Sequence, residues 1–259
     1  MDGNYWNDVA DRVEGFYSDN PFFQYKKREL LELIERWGKG LLGGKVLKTD
    51  LYEEALGYDD LLFDLAKSND DVYGMDISPR MVEAAEQRAI ERGVKPKFSV
   101  QDARSLTFDS NIFDLVISNS TFDHFPEVED AIRESSRVLK PGGVMILTLH
   151  NKHNPAVYLL CKAMKALNKY HDFYTEGSFS LDEIKKMAEK SGLSVTDWEA
   201  IIHIPPVFPT IINKLYKNKH KFIRSFSEFL VVFFDKIGNQ KFLNRFTGYL
   251  IAVKAVKNR

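Results

Sequence analysis

Residues 113–149 read FDLVISNSTFDHFPEVEDAIRESSRVLKPGGVMILTL. Phe113–Ser118 is an apolar run of strand length. Glu127–Leu139 follows, with Val128, Ala131, Ile132, Ser135, Val138 and Leu139 on one side of a helix. Lys140-Pro141-Gly142-Gly143 reads as a stop, because proline and glycine end helices and open turns. Val144–Leu149 is a second buried-strand run. Strand, helix, turn and strand in this span make a βαβ unit of a parallel sheet.

The same alternation extends toward the N-terminus. Lys45–Leu51 reads as a strand after Gly43-Gly44, and Asp59–Ala66 as a helix. Val72–Ile77 is a strand carrying Asp76 at its end, and Pro79–Arg92 is a helix stopped by Gly93. Lys97–Val100 is a further strand, followed by Asp102; Leu193–His203 and Thr247–Val256 supply two more. The expected fold class is α/β, a doubly wound, Rossmann-like sheet of seven strands. The expected organisation is a single domain over 1–259. A helical cap covers 1–40, the sheet core 45–204 and 245–257, and a helical insertion 205–244.

Composition narrows the function. The chain has 259 residues, 44% hydrophobic and 28% charged, which suits a soluble domain with a sizeable core. A formal net charge of −1 removes the global electrostatic case for nucleic acid. The single cysteine, Cys161, excludes an internal disulfide and a cysteine zinc cluster, and it suits a cytoplasmic location. Residues 1–30 lack the apolar core of a signal peptide, and no run reaches the roughly 18–20 apolar residues of a membrane span. No GxGxxG follows a strand, which argues against a nicotinamide dehydrogenase. His150 and His153 lack a cysteine or carboxylate companion nearby, so HNKH reads as a loop and no metal is expected.

A strand ending in Asn119-Ser120, a histidine shortly after, then RVLKPGG and another strand resembles class I S-adenosylmethionine (SAM)-dependent methyltransferases. The resemblance implies that the last strand lies antiparallel between the fifth and sixth, and that SAM is the cofactor. Ligands of such open sheets bind at the carboxyl ends of the strands. The cofactor-binding positions implied are Thr49, Asp50 and Glu54 after the first strand, Asp76 and Ile77 after the second, and Asp102 and Ala103 after the third. Asn119 and Ser120 after the fourth complete the set, with Tyr25 of the cap as a further contact. A carboxylate at Asp76 can accept both hydrogen bonds of a ribose diol, and Asp102 falls where the family meets the adenine amino group. For both acids a helix cap or a solvated loop is the competing role.

The chain departs from the family where the family is most specific. A glycine-rich loop is expected after the first strand, but here the segment is KVLKTDLYEEALG. It is similar to a minority branch of the superfamily with an LKTDLFEEA-like first motif, a downstream SNSTLDHF and an RFTGYF-like tail. Leu47–Ala55, Ser118–Phe125 and Arg245–Tyr249 match these. Two readings stay open. In one, Asp50, Glu53 or Glu54 faces the ammonium and sulfonium end of SAM. In the other, larger side chains close the pocket and the chain is a catalytically silent relative serving as a partner subunit.

Two flanking regions bear on the acceptor. The aromatic-rich cap has a helical Tyr25–Trp37 and candidate contacts Tyr17, Tyr25 and Arg28. Within the insertion, a basic stretch runs from Asn213 to Arg224, and an apolar stretch runs from Phe222 to Ile237. Together, 213–237 admit a lid packed on the domain, a peripheral membrane contact, or a dimer interface. The expected activity is SAM-dependent methyl transfer to a small-molecule or lipid-like acceptor, with the oligomeric state left open. His124 and His150 are the candidate catalytic bases, each with a structural loop role as its rival.

Overall fold

A computed structural model describes residues 3–12, 20–166, 177–206, 208–238, 240 and 243–259. In chain order the elements are α1 (Gly3–Arg12), α2 (Pro21–Trp37), β1 (Val46–Lys48), α3 (Tyr52–Leu56), α4 (Leu61–Ala66), β2 (Val72–Asp76), α5 (Pro79–Arg92), β3 (Lys97–Val100) and β4 (Phe113–Asn119). A 3₁₀ turn (Phe122–His124) leads into α6 (Val128–Val138), β5 (Leu139–His150), α7 (Pro155–Ala166), α8 (Leu181–Lys190) and β6 (Leu193–Ile201). Then come α9 (Phe208–Tyr216), α10 (Lys221–Gly238), α11 (Asn244–Thr247) and β7 (Leu250–Lys257).

The seven strands form one sheet in the order β3-β2-β1-β4-β5-β7-β6. β1 to β5 are parallel, and β7 runs antiparallel between β5 and β6, pairing His150 with Leu250 on one side and Ile201 with Leu250 on the other. The central strands are apolar on both faces because helices cover both. Successive side chains alternate between two cores. Val46, Leu115, Ile117 and Ile146 join Leu30, Leu33 and Ile34 of α2 with Met81 and Ala85 of α5. Leu47, Val116, Met145 and Leu147 join Ala131 and Ile132 of α6 with Ile184 of α8.

Helix ends follow the local chemistry. Ser78 caps α5 by accepting from the Met81 amide, and Gly93 ends it at φ 68°. Ser180 and Glu183 form a reciprocal capping box on α8. The structure departs from the sequence reading in three places. β1 stops at Lys48, short of the Leu51 end that was expected, and Tyr52–Leu56 forms a helix that was not read from sequence. Lys140-Pro141-Gly142-Gly143 does not interrupt β5, which starts at Leu139. Phe113 pairs with Leu139 and Leu115 with Val144, so the extra residues form a bulge that absorbs the proline. α1 lies within the region expected as a helical cap, where only Tyr25–Trp37 was delimited as a helix. Phe16, Tyr17 and the Leu167 end of the expected helix after Pro155 lie outside the described residues.

The α9–α10 pair packs against α2. Phe208 meets Phe234 edge to face at 4.5 Å, and Asn20 donates to Asn213 across 2.9 Å. At the end of α10, a Cβ on Gly238 would stand 1.9 Å from His203 Cβ. Only glycine permits this approach. Gly238→Ala should therefore pry the end of α10 off the sheet edge and cost about 1–3 kcal/mol. Thermal melting of the variant against the parent checks this, and an unchanged midpoint would place the close approach elsewhere.

Candidate active site

The β1 end carries a buried ammonium. Lys48 is fully buried, and its Nζ donates to Asp50 Oδ1 at 2.8 Å, to the Asp50 carbonyl at 3.0 Å and to Glu54 Oε2 at 2.9 Å. Glu54 Oε1 accepts the Leu62 amide at 2.9 Å, which ties the knot to α4. Glu53 is held by Lys26 of α2 and accepts from Asn119 Nδ2 at 3.2 Å. Its Oε2 lies 3.6 Å from Lys48 Nζ and has no hydrogen-bond partner. By spacing, Asp50, Glu53 and Glu54 could hold a metal ion, but the Lys48 ammonium fills that role.

Two lysines, Lys26 and Lys48, thus face four buried acids: Asp50, Glu53, Glu54 and Asp59. Burial, followed by the charges of its acidic neighbours, lifts the Glu54 carboxyl to about 8 against the pull of Lys48. Burial and the Glu53 charge raise Asp59 to about 6. Burial would raise Glu53 too, but Lys26 and Lys48 hold it down at about 2. The cluster carries a surplus of acid in a dry setting.

Asp76 closes β2 beside this knot. Its Oδ2 accepts the Leu51 amide at 3.0 Å and its Oδ1 the Ser78 amide at 2.9 Å, while burial raises the carboxyl to about 6. Each oxygen keeps a lone pair for a further donor. The adjoining Ile77 lies under α1, where a Cβ on Gly3 would stand 2.9 Å from the Ile77 carbonyl oxygen. Thr49 is buried, with its amide bound to the Ile117 carbonyl at 3.0 Å.

Asp102 is engaged differently from the expectation. Arg104 grips it with Nε and a terminal nitrogen at 2.7–3.1 Å, so the acid is already paired. Ala103 packs into the core with Leu106 and Phe122. Tyr25 does not join the site. Its ring is buried and its hydroxyl accepts the His203 amide at 3.2 Å, because α2 turns this residue toward the end of β6.

The β4 and β5 ends bring the remaining groups together. Ser120 sits at φ 51°, a left-handed conformation costly for serine, and its amide donates to the Thr148 carbonyl at 3.0 Å. Thr148 Oγ1 donates to Asn119 Oδ1 at 3.1 Å, and Thr121 Oγ1 donates to Asp50 Oδ2 at 2.8 Å. Asp123 is fully buried and accepts the His150 amide at 3.0 Å; the same oxygen meets His150 Nδ1. His150 Nε2 faces Tyr249 Oη at 3.1 Å. Against the push of burial, the His150 ring holds Asp123 down at about 2. An ionised Asp123 fixes the proton of His150 on Nδ1 and leaves Nε2 as the basic nitrogen. His124 stands 6.4 Å from His150, ring to ring, and 5.4 Å from Trp6 of α1.

The site thus gathers Thr49, Asp50, Glu54, Asp76, Asn119, Ser120, His124 and His150. Four contributors were not read from sequence. Asp123 and Tyr249 stand inside the quoted STFDHF and RFTGYL motifs, but their pairing needs the β5–β7 register. Lys26 and Trp6 carry no sequence signal, since only the docking of α1 and α2 brings them here.

A profile described as "Methyltransferase domain" matches residues 53–147. "Phosphoethanolamine N-methyltransferase 2" of Caenorhabditis elegans is 26% identical over 165 residues, 61% of this chain and 35% of that protein. "Uncharacterized methyltransferase YcgJ" of Bacillus subtilis is 33% identical over 125 residues, 48% of this chain and 49% of that protein. The crystal structure of magnesium protoporphyrin IX methyltransferase from Synechocystis PCC 6803 with bound SAH superposes with a TM-score of 0.60 at 17% identity, covering 98% of this chain and 93% of that one. Residues 53–147 match a methyltransferase domain, and the fold is that of class I SAM-dependent methyltransferases. The chain spans only 35% and 49% of the two curated relatives, and the structural likeness speaks for the fold alone.

Class I methyltransferases use S-adenosylmethionine, and the residues at this site fit it. The buried Glu53 Oε2, which has no hydrogen-bond partner, and the acid surplus around it suit an ammonium and a sulfonium. The spare lone pairs of Asp76 suit a ribose diol.

Two outcomes check the electrostatics. Lys48→Met would leave buried carboxylates without their cation and should cost about 3–5 kcal/mol in denaturant unfolding; a loss under about 1 kcal/mol would mean that the acids are wetted instead. The second concerns pH. Glu54 titrates near 8 in the folded chain and near its ordinary value of about 4.3 unfolded. Between those values the folded state holds a proton that the unfolded state has lost, so this group's contribution to stability falls as pH rises from about 4.5 to 8 and levels off above. Glu54→Gln should flatten that part of the melting-point profile, and equal slopes in parent and variant would remove Glu54 as the cause.

Proposed function

We propose that the chain transfers a methyl group from S-adenosylmethionine to an acceptor hydroxyl on a small or lipid-like molecule, with Tyr249 and His150 taking the proton. The observation that carries this reading is the Asp123–His150–Tyr249 chain at the ends of β5 and β7. The cofactor would supply a methyl carbon made electrophilic by a positive sulfur. Asp76 would hold the ribose, Glu53 and Asp50 the cationic end, and Lys26 the cofactor carboxylate. Tyr249 Oη accepts the acceptor's proton while its own proton passes to His150 Nε2. The imidazolium so formed is stabilised by the ionised Asp123. The rest of the rate comes from alignment and the exclusion of water, for which α1 and Trp6 form the cover.

The relatives act on chemically unlike acceptors by their names, so the acceptor class rests on this proton path. A cytoplasmic location accords with the lone, buried Cys161 thiol. One observation favours the silent-relative reading: the α1 backbone at Gly3 lies directly on Ile77, where adenine would enter. Calorimetry separates the two. Heat of binding with SAM supports methyl transfer, and no heat with either SAM or S-adenosylhomocysteine overturns it. His150→Asn should keep SAM affinity and lower turnover of a hydroxyl acceptor by about 10²–10⁴. Asp123→Asn should do the same through the wrong tautomer. Full turnover in both variants would leave the proton to solvent and end the base assignment.

A further inference from the structure

We propose that the outer face of α10, with the basic turn before it, docks on the surface of an anionic phospholipid bilayer. α10 is 18 residues long and presents Phe222, Phe226, Phe229 and Phe233 along one line, spaced by four, three and four residues. Phe222 is 85% exposed and Phe229 57%. The rings of Phe226, Phe229 and Phe233 stack along the helix at 6.1 and 5.9 Å. Val232 and Ile237 widen the stripe and are also exposed. The opposite face carries Ser227, Val231 and Gly238, which are buried against the domain. So the stripe is not the packing face of the helix. Packing is already satisfied on the other side.

The charge around the stripe identifies its occupant. Residues 208–238 hold six lysines and arginines (Lys214, Lys217, Lys219, Lys221, Arg224 and Lys236) against two acids, within a chain of net charge −1. All six are exposed, whereas Asp235 turns inward to Arg28 at 3.6 Å. On the helical wheel, neither Glu228 nor Asp235 falls within the aromatic stripe. A helix with phenylalanines outward and cations at its rim seats in the interfacial plane of an anionic bilayer. Among the described residues no helix is long and apolar enough to cross a membrane, so the contact is peripheral. A second copy of the chain is the lesser fit, because a two-fold pairing of this face brings two basic rims together. The proposal stands independently of the methyl-transfer reading.

Flotation of the full chain tests it, with vesicles of phosphatidylcholine alone and of phosphatidylcholine mixed with phosphatidylglycerol. The chain should float with the anionic vesicles at low salt, less so at high salt, and not with the neutral ones. Phe226→Ser with Phe229→Ser should weaken flotation by about tenfold or more. Both positions face out, so the melting point should hold. Lys219→Gln with Lys221→Gln provides an independent pair that leaves the apolar face whole, and it should shift binding in the same direction. No flotation with anionic vesicles, or flotation of both double variants equal to that of the parent, overturns the proposal. So does light scattering that finds a dimer which Phe229→Ser returns to monomer, since the face would then be occupied by a second copy.

Discussion

The fully buried Lys48 ammonium is the constraint on which the site depends. An ammonium taken out of water at a strand end is tolerable only if its hydrogen bonds are met and its charge is balanced close by. Asp50 and Glu54 meet them, and the Asp50 carbonyl takes a third. That demand shapes the backbone. The chain must curl back within six residues to bring Glu54 to Lys48, and the short helix α3 is the curl. In the superfamily's usual loop, glycines let the backbone itself approach the cofactor. Here the same strand end presents carboxylates that a buried lysine has gathered. The rewrite therefore exchanges one kind of surface at this strand end, peptide dipoles, for another, formal charge.

The knot is continuous with the proton-handling end of the site. Asp50 accepts from Thr121, the residue just after strained Ser120. Glu53 accepts from Asn119, which in turn accepts from Thr148 on β5. Two β5 residues later stands His150. Two non-glycine residues with left-handed backbones flank the Asp123–His150–Tyr249 chain: Ser120 at φ 51° and Ile202 at φ 59°. The Ile202 carbonyl holds the Tyr249 amide at 2.9 Å. A β-branched residue in that conformation costs about 1–3 kcal/mol. Such strain persists where surrounding bonds over-determine the backbone, and here it is set against the residues that fix the His150 ring.

The parallel core was legible because its physics is local. A strand buried on both faces must be apolar throughout, and a helix such as Pro79–Arg92 announces both its ends through Ser78 and Gly93. The site was legible only as strand ends. Asp76, Asn119 and His150 could be placed there from the alternation of elements, but their partners could not. Whether Lys48 points into solvent or into four carboxylates depends on helices far along the chain. Tyr25 illustrates the limit from the other side. Its position on α2 suggested a pocket contact, yet helix rotation turns it to His203 while its neighbour Lys26 reaches Glu53. One residue of helical phase separates a core tyrosine from a site lysine. Periodicity gives the apolar face but not which sheet residue lies beneath it.

The acid surplus bears directly on how such a site can recognise its ligand. With Lys26 and Lys48 against Asp50, Glu53, Glu54 and Asp59, full ionisation would leave two negative charges in a nearly water-free space. The cluster can hold protons, as the raised Glu54 and Asp59 carboxyls do, or it can accept a cation. A ligand with a positive sulfur and a positive amine offers two charges, whereas its demethylated product offers only the amine. The energetic difference between them is set by charge compensation, not by shape, since the two differ by one methyl group. A site built from glycine backbone separates donor and product through dipoles. One built on a buried lysine with an excess of carboxylates separates them through the net charge it must otherwise neutralise with protons, which couples ligand discrimination to the titration of Glu54.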